Sequence, residues 1–271
     1  MKNQLFTLIL TVLSLSCASN PFTGKKTMAF MPNSQLLTMS FAEYDKFLSE
    51  NKVIKGTSEA EMITRVGQRI SVAAERWLDA NNHQRYLKDY KWEYNLVDDK
   101  LVNAWCMPGG KIVFYTGILP IAKNEAGIAA IMGHEVAHAL ANHGQQRMSA
   151  GMIQQGVGVG VAIATENKSA SEQTIWMQAF AVGSSVGGML PFSRSHETEA
   201  DEIGLFLTAI AGYNPDEASL LWERMKANSD GKSPPEFLST HPSNDSRISN
   251  LRALSTKAKE EARKFGVTSF K

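Results

Sequence analysis

The sequence predicts an α+β fold that is predominantly α-helical, with a small β-sheet beside one buried helix. Most long segments carry apolar residues at helical spacing, whereas only residues 90–115 alternate bulky residues at strand period. The 271 residues are 43% hydrophobic and 20% charged, which suffices for a sizeable buried core. A net charge of +1 without a basic run excludes an electrostatic case for nucleic-acid binding.

The first residues predict a signal peptide. Lys2 precedes an apolar run over 5–15, and small residues then lead to Cys17. That run is too short for a comfortable membrane-spanning helix. A small-residue stretch ending in Cys is similar to a bacterial lipoprotein signal, in which Cys17 carries lipid and tethers the chain to a membrane. An ordinary signal peptide cut nearby is the alternative.

These features divide the chain into three parts. We expect a lipoprotein signal peptide over 1–17, a linker or N-terminal arm over 18–33, and a single domain over 34–271. If Cys17 is lipidated, Cys106 has no partner for a disulfide, and we interpret it as a small buried hydrophobic residue.

The elements before residue 120 are two helices and a small sheet. Residues 34–50 look helical, and Ser58 with Glu61 has the spacing of a capping box at the start of a helix to about Ala80. Residues 90–97, 101–107 and 111–115 predict strands, the last two joined by a Pro-Gly-Gly turn.

The second half of the chain predicts helices. A buried helix begins at Asn124-Glu125 and ends near Gly144, and a glycine-rich region follows, in which glycines four apart would let helices pack closely. Further helices are predicted over 195–211, from Asn214-Pro215 to about 227, and over 243–263.

The buried helix carries the sequence HEVAH. His134 and His138 are four residues apart, so both imidazoles leave one helix face one turn apart and can bind one cation. Glu135 lies about 100° round the helix, where it can reach a water beside the ion without binding the ion. A core histidine is the ordinary alternative. However, burying three ionisable groups in so apolar a helix would be unfavourable without a compensating charge, which a dication supplies.

Zinc needs a third protein ligand. His143 is five residues after His138 and should be rotated off its face, so we interpret it as structural or as a helix C-terminal cation. In the second acidic segment, Glu197 and Asp201 share one helix face. Glu197 is the candidate third ligand, with Asp201 accepting a hydrogen bond from a ligating imidazole. An acidic solvated face is the alternative.

HEVAH followed 59 positions later by ETEAD resembles the gluzincin peptidases, which include the CAAX prenyl protease, the HtpX membrane protease and their periplasmic lipoprotein relatives. The stretches NPFTGKK, NAWCMPGGKIVFYTG and STHPSNDSRI are also similar to that family, so the resemblance covers about residues 20–255. It implies a zincin-like fold with one Zn²⁺ per chain, bound by His134, His138 and Glu197, and it favours the periplasmic lipoprotein branch.

Neighbouring residues complete the predicted site. Glu135 would act as general base. His241 is the candidate to stabilise the oxyanion, and the resemblance also allows it to be a fourth ligand that closes the site until substrate arrives; a loop histidine that caps the following helix is the alternative. We also expect Arg247 to pair with Asp201. Because an unfolded chain can add to an exposed strand, we expect residues Asn103, Ala104 and Trp105 to bind substrate backbone.

The sequence therefore predicts a zinc metalloendopeptidase that acts on misfolded or unassembled cell-envelope proteins. We expect a location in the bacterial cell envelope, lipid-anchored and facing the periplasm, on the outer membrane. The alternative is a chaperone-like protein that binds peptides in the same groove without cleavage. Such a protein would need no Glu135.

Overall fold

The computed structural model describes residues 17–229, 235–242 and 244–271, and the predicted α+β, mainly helical fold is confirmed. The α-helices of these ranges are α1 Asn33–Glu50, α2 Ser58–Ala80, α3 Leu119–Ala122, α4 Glu125–Leu140, α5 His143–Ala164, α6 Ala170–Ser184, α7 Leu190–Ile210, α8 Asp216–Ser229, α9 Glu236–Thr240 and α10 Asp245–Lys264. Residues 1–16, which hold most of the predicted signal peptide, lie outside the described residues.

The described strands form two sheets. Strands β1 Cys17–Ser19 and β2 Lys26–Met28 pair antiparallel, so the segment predicted as a linker or N-terminal arm contains a short two-stranded ribbon. The second sheet has the order β3-β4-β6-β5 and contains β3 Val53–Ile54, β4 Glu93–Val97, β5 Ala104–Met107 and β6 Lys111–Tyr115. Only the β4–β6 pair of this sheet is parallel, and β5 lies at its edge.

The four-stranded sheet separates two apolar layers. On one face, Tyr44 of α1 packs with Val97, Val113 and Tyr115. On the other face, Leu96, Ile112 and Phe114 join the main core, which also takes in α2, α4 and α7. One face of α2 carries Ile63, Val66, Ile70 and Ala74 at helical spacing, and all four are fully buried in this core.

Helix α2 begins one residue earlier than its sequence cap suggests. The N-cap residue is Thr57, whose Oγ1 accepts a hydrogen bond from the Ala60 N–H at 3.3 Å. Ser58, the expected cap, is the first helical residue, and its hydroxyl donates to Glu59. Since an N-cap residue keeps extended backbone angles, Thr57 with ψ of 158° satisfies the requirement and Ser58 continues the helix.

Helices α4 and α7 cross at two glycines. A Cβ on Gly133 would lie 2.6 Å from the Gly204 carbonyl oxygen, and a Cβ on Gly204 would lie 2.7 Å from the His134 backbone nitrogen. The absence of side chains here lets the two backbones touch. Consequently the first half of α7, which carries Glu197 and Asp201, lies against the HEVAH segment of α4.

Helices α5 and α6 form a hairpin between α4 and α7 that carries many exposed apolar side chains, among them Ile163, Ile175 and Val182, each more than half exposed. A Cβ added to Gly156, Gly160 or Gly183 would meet no atom within 4 Å, so the close packing expected of these glycines is found instead between Gly133 and Gly204. Within the described residues, no helix combines the length and hydropathy needed to cross a bilayer.

Candidate metal centre

Helix α4 presents both histidines of HEVAH towards one point. The Asn124 side chain caps the helix by accepting from the Gly127 N–H at 2.8 Å, and almost every later residue of α4 is buried. Spacing of four residues brings His134 Nε2 and His138 Nε2 to 3.1 Å of each other. Both residues are at most 5% exposed.

Helix α7 brings the carboxylate of Glu197 to the same point. Its Oε2 lies 3.3 Å from His134 Nε2, and its Oε1 lies 3.3 Å from His138 Nε2. His241, the residue that ends α9, adds its Nδ1 at 3.0 Å from Glu197 Oε2 and 3.2 Å from His134 Nε2. Ligand atoms of these four residues all lie within 4.8 Å of one another.

The donor set fits a dication. Three imidazoles and one carboxylate are ligand types that Zn²⁺ takes in proteins. The Oε1 atoms of Glu135 and Glu197 are buried without a hydrogen-bond partner among the described residues. Buried carboxylate oxygens without partners are costly in free energy, and a cation would satisfy Glu197.

Asp201 and Arg247 surround the first of the two imidazoles. Asp201 Oδ1 lies 3.0 Å from His134 Nδ1, the nitrogen that faces away from the cluster. Arg247 binds Asp201 through Nε and Nη2, each at 2.7 Å, and its guanidinium stacks 3.7 Å from the Trp222 ring centroid. Burial raises the pKa of Asp201, but the Arg247 charge and the His134 hydrogen bond outweigh it and hold the pKa below its usual range.

Glu135 stands beside the cluster but outside it. Its Oε1 lies 3.4 Å from His241 Nε2. Burial raises the pKa of this carboxyl above its usual range, against the lowering effect of His241 and His134. A carboxylate with a raised pKa is a better proton acceptor, which suits the general-base role predicted for Glu135.

The predicted substrate strand lies at the sheet edge, but the side chains of its residues point to opposite faces of the sheet. The Trp105 ring faces the α1 layer, where it packs on Tyr44 and Phe47 and donates to the Tyr115 hydroxyl at 3.2 Å. Asn103 uses its backbone oxygen to accept from Tyr115. Ala104 belongs to the core on the α4 side of the sheet, and Cys106 packs against that core.

Antiparallel pairing decides which backbone groups of β5 are free. Asn103 and Tyr115 are hydrogen-bonded, so Trp105 also points its backbone groups at β6, in register with Val113. The backbone groups of Ala104 and Cys106 therefore point away from β6, to the side where no described strand pairs. Among these groups, the Ala104 N–H is taken by the Asn103 side chain at 3.0 Å.

Sequence reasoning missed the residues that surround the second imidazole. His143 is completely buried, and its Nδ1 lies 2.8 Å from His138 Nδ1. It was expected to point elsewhere because uninterrupted helix would rotate it away, but α4 ends at Leu140 and Asn142 adopts a left-handed conformation with φ of 55°. Asparagine tolerates that conformation better than most residues, and this was the available sequence signal.

A buried helix bearing HExxH, an acidic helix crossing it and four convergent ligand atoms are together the pattern of a metallopeptidase metal site. Comparison with known families assigns it further: residues 65–255 match the model of peptidase family M48, and the chain belongs to that family.

Relatives of known name agree with this assignment. The chain is 40% identical over 167 residues to the "Mitochondrial metalloendopeptidase OMA1" of Schizosaccharomyces pombe, covering 61% of this chain and 47% of that protein. It is 34% identical over 198 residues to the OMA1 protein of Saccharomyces cerevisiae, covering 70% and 55% respectively. The "Beta-barrel assembly-enhancing protease" of Escherichia coli is 27% identical over 170 residues, covering 59% and 34%. The chain thus spans about half the length of the first two relatives.

These relatives correct the predicted location. The bacterial-envelope, outer-membrane assignment is wrong, because three relatives at 34–40% identity are named as mitochondrial enzymes. A lysine followed by a short apolar run is common to secretory leaders in general and does not identify a compartment. Lipidation of Cys17 receives no support from these relatives and stays a prediction from the leader alone.

Proposed function

We propose that the chain is a zinc-dependent endopeptidase. The observation that carries this proposal is the convergence of His134, His138, Glu197 and His241 within 4.8 Å, with the Glu135 carboxylate at its margin. Zinc bound there would supply Lewis acidity to a water molecule and to the carbonyl of the scissile peptide bond.

The chain's own groups would move the proton. Glu135 accepts a proton from the attacking water and returns it to the leaving amine. Its raised pKa supports this exchange, since the group must both take and release a proton during one cycle. Asp201 holds the Nδ1–H of His134, which directs Nε2 of that ring at the metal position.

His241 is the donor best placed to leave the cluster. Catalytic zinc sites keep one position for water or substrate, whereas four side chains converge here. Three of them lie on the long helices α4 and α7, but His241 follows the five-residue helix α9. We propose that His241 closes the site at rest and stabilises the oxyanion when substrate replaces it.

For the substrate, we propose unfolded polypeptide segments that add to β5. The outward carbonyl of Ala104 and the outward N–H and carbonyl of Cys106 support this mode, because pairing through backbone is indifferent to side chains. β5 also lies near the site: the Phe237 N–H of α9 donates to Val102 O at 3.1 Å, just before β5. Misfolded or unassembled proteins expose such segments, and without the envelope location nothing restricts these substrates to envelope proteins.

The first experiment separates the enzyme from the chaperone-like alternative. Purified protein is analysed for bound metal, and cleavage of an unfolded protein is followed with and without chelator. The Glu135→Gln protein should retain metal and the fold but lose cleavage. Hydrolysis that survives complete metal removal would contradict the proposal, and so would cleavage by Glu135→Gln at the parental rate.

The second experiment tests strand addition. Cys106→Pro removes an outward N–H without touching the β5–β6 ladder, since proline is tolerated at a strand edge. A lost hydrogen bond of roughly 0.5–1.5 kcal/mol predicts a KM for an unfolded substrate raised about 2- to 12-fold. Cys106→Val keeps the N–H and is the matched control. Equal KM values for the two variants would refute pairing at this edge.

A further inference from the structure

The nitrogen of His138 that faces away from the metal position has a specific partner. His138 Nε2 belongs to the metal cluster, while its Nδ1 lies 2.8 Å from His143 Nδ1. When Nε2 binds a metal, a neutral imidazole carries its proton on Nδ1. His138 therefore donates, and His143 Nδ1 must accept.

That assignment fixes the rest of the chain of hydrogen bonds. With Nδ1 accepting, neutral His143 carries its proton on Nε2, which lies 3.4 Å from Glu199 Oε2. Glu199 is only 6% exposed although it belongs to the acidic segment that could have been a solvated face. His143 also stacks on His196, with ring centroids 4.0 Å apart, so its plane is fixed as well.

The N-terminal arm completes this arrangement. Glu199 Oε1 accepts from Asn20 Nδ2 at 2.8 Å and from Thr23 Oγ1 at 2.6 Å, and Lys25 lies 3.6 Å from Oε2. These residues are about 175 positions earlier in the chain, between strands β1 and β2. Their contacts anchor the carboxylate that accepts from His143.

We propose that His143 and Glu199 are positioning residues for the metal ligand His138, and that the arm residues Asn20 and Thr23 hold Glu199 in place. The proposal rests on the metal site of the proposed function. Each ligand imidazole is then oriented by a carboxylate: Asp201 orients His134 directly, and Glu199 orients His138 through His143. Partners of this kind fix ring orientation and ligand basicity.

The test measures metal affinity, not only activity. Zn²⁺ affinity is determined by competition with a chromophoric chelator, and the visible spectrum of the Co²⁺ form reports ligand geometry. His143→Phe keeps a ring that stacks on His196 but removes both nitrogens. We expect affinity about 10- to 100-fold weaker, the usual consequence of losing such a partner, and an altered Co²⁺ spectrum. His143→Asn places an oxygen near the position of Nδ1 and should recover most of the affinity.

His196→Phe is the matched control, because this buried ring stacks on His143 while its Nε2 lies 3.1 Å from Gln146 Oε1, away from the metal cluster. It should leave Zn²⁺ affinity within about threefold of the parent, well short of the effect of losing a ligand's partner. Melting of each metal-free variant identifies general loss of structure. The proposal is overturned by parental affinity in His143→Phe, by an equal loss in His196→Phe, or by a loss that His143→Asn does not recover.

The arm is tested by Asn20→Ala combined with Thr23→Ala, which should weaken Zn²⁺ affinity by less than His143→Phe. An unchanged affinity would overturn the role of the arm. Failure of the parent itself to bind Zn²⁺ or Co²⁺ would instead refute the proposed function, so the two failures are distinguishable.

Discussion

The crossing of α4 and α7 gives a prediction that can be worked out from distances. In Gly204→Ala, the new Cβ would lie 2.7 Å from the His134 backbone nitrogen and 2.8 Å from the Gly133 carbonyl carbon. An ordinary contact begins near 3.4 Å, so the helices must separate by roughly 0.7 Å or deform. Neither neighbouring atom belongs to a flexible side chain.

Two effects follow from that separation. Overpacking costs about 1–3 kcal/mol, partly offset by the better helix propensity of alanine, which is worth up to about 1 kcal/mol. In addition, Glu197 moves away from His134 and His138, which lie on the other helix. Metal–ligand distances tolerate only about 0.2 Å, so metal affinity should fall about tenfold or more.

The assay combines urea denaturation of the metal-free protein with Zn²⁺ competition. Gly160→Ala is the control, because that helical glycine has no atom within 4 Å of the added Cβ. It should raise stability by about 0.5–1 kcal/mol and leave metal affinity unchanged. If Gly204→Ala bound Zn²⁺ as tightly as Gly160→Ala, helix contact would not set the ligand distances.

Three further predictions concern stability. Arg247→Met leaves the buried Asp201 carboxylate without its guanidinium partner, with only its contact to His134 Nδ1, and should lower the free energy of unfolding by about 3–5 kcal/mol in urea titrations, whereas a loss below about 1 kcal/mol would show that the pair is weak. Thr57→Ala should lower the free energy of unfolding by about 1 kcal/mol and Ser58→Ala should change it little. A larger loss in Ser58→Ala than in Thr57→Ala would show that Ser58 is the N-cap, as the sequence suggested. Burial raises the pKa of Asp216, but Lys259 and Ser255 outweigh it and lower the pKa below its usual range. Its stabilisation is therefore complete above the unfolded-state pKa and lost as pH falls through the folded value. Asp216→Asn should destabilise at pH 7 and less so near pH 2, and an equal effect at both would contradict this.

Helix spacing alone predicted the part of the site that lies on the single helix α4. The spacing of His134 and His138 sufficed to place both imidazoles together, because residues four apart lie on the same face of an α-helix. Glu197 lies on another helix, and its spacing from Asp201 made it a candidate ligand but did not exclude a solvated acidic face, which the family resemblance argued against. The bounds of α2 and β6 were likewise close to their patterns.

The long-range half of the site was beyond such rules. His143 depends on a helix break at Asn142, and Glu199 depends on an arm about 175 residues away. The side on which Trp105 packs follows from strand register, which a one-residue shift would invert. These relations are properties of the assembled molecule, and a single sequence does not state them.

The four donor atoms come from three stretches of chain, around residues 134–138, 197 and 241. An ion bound to all of them would act as a reversible cross-link that closes two long loops of the polypeptide. Closing such loops mainly restricts the unfolded chain, so loading with metal would favour the native state by mass action. An endopeptidase built in this way would resist cleavage by other copies of itself while metal is bound, and it would become easier to cleave once the metal is lost.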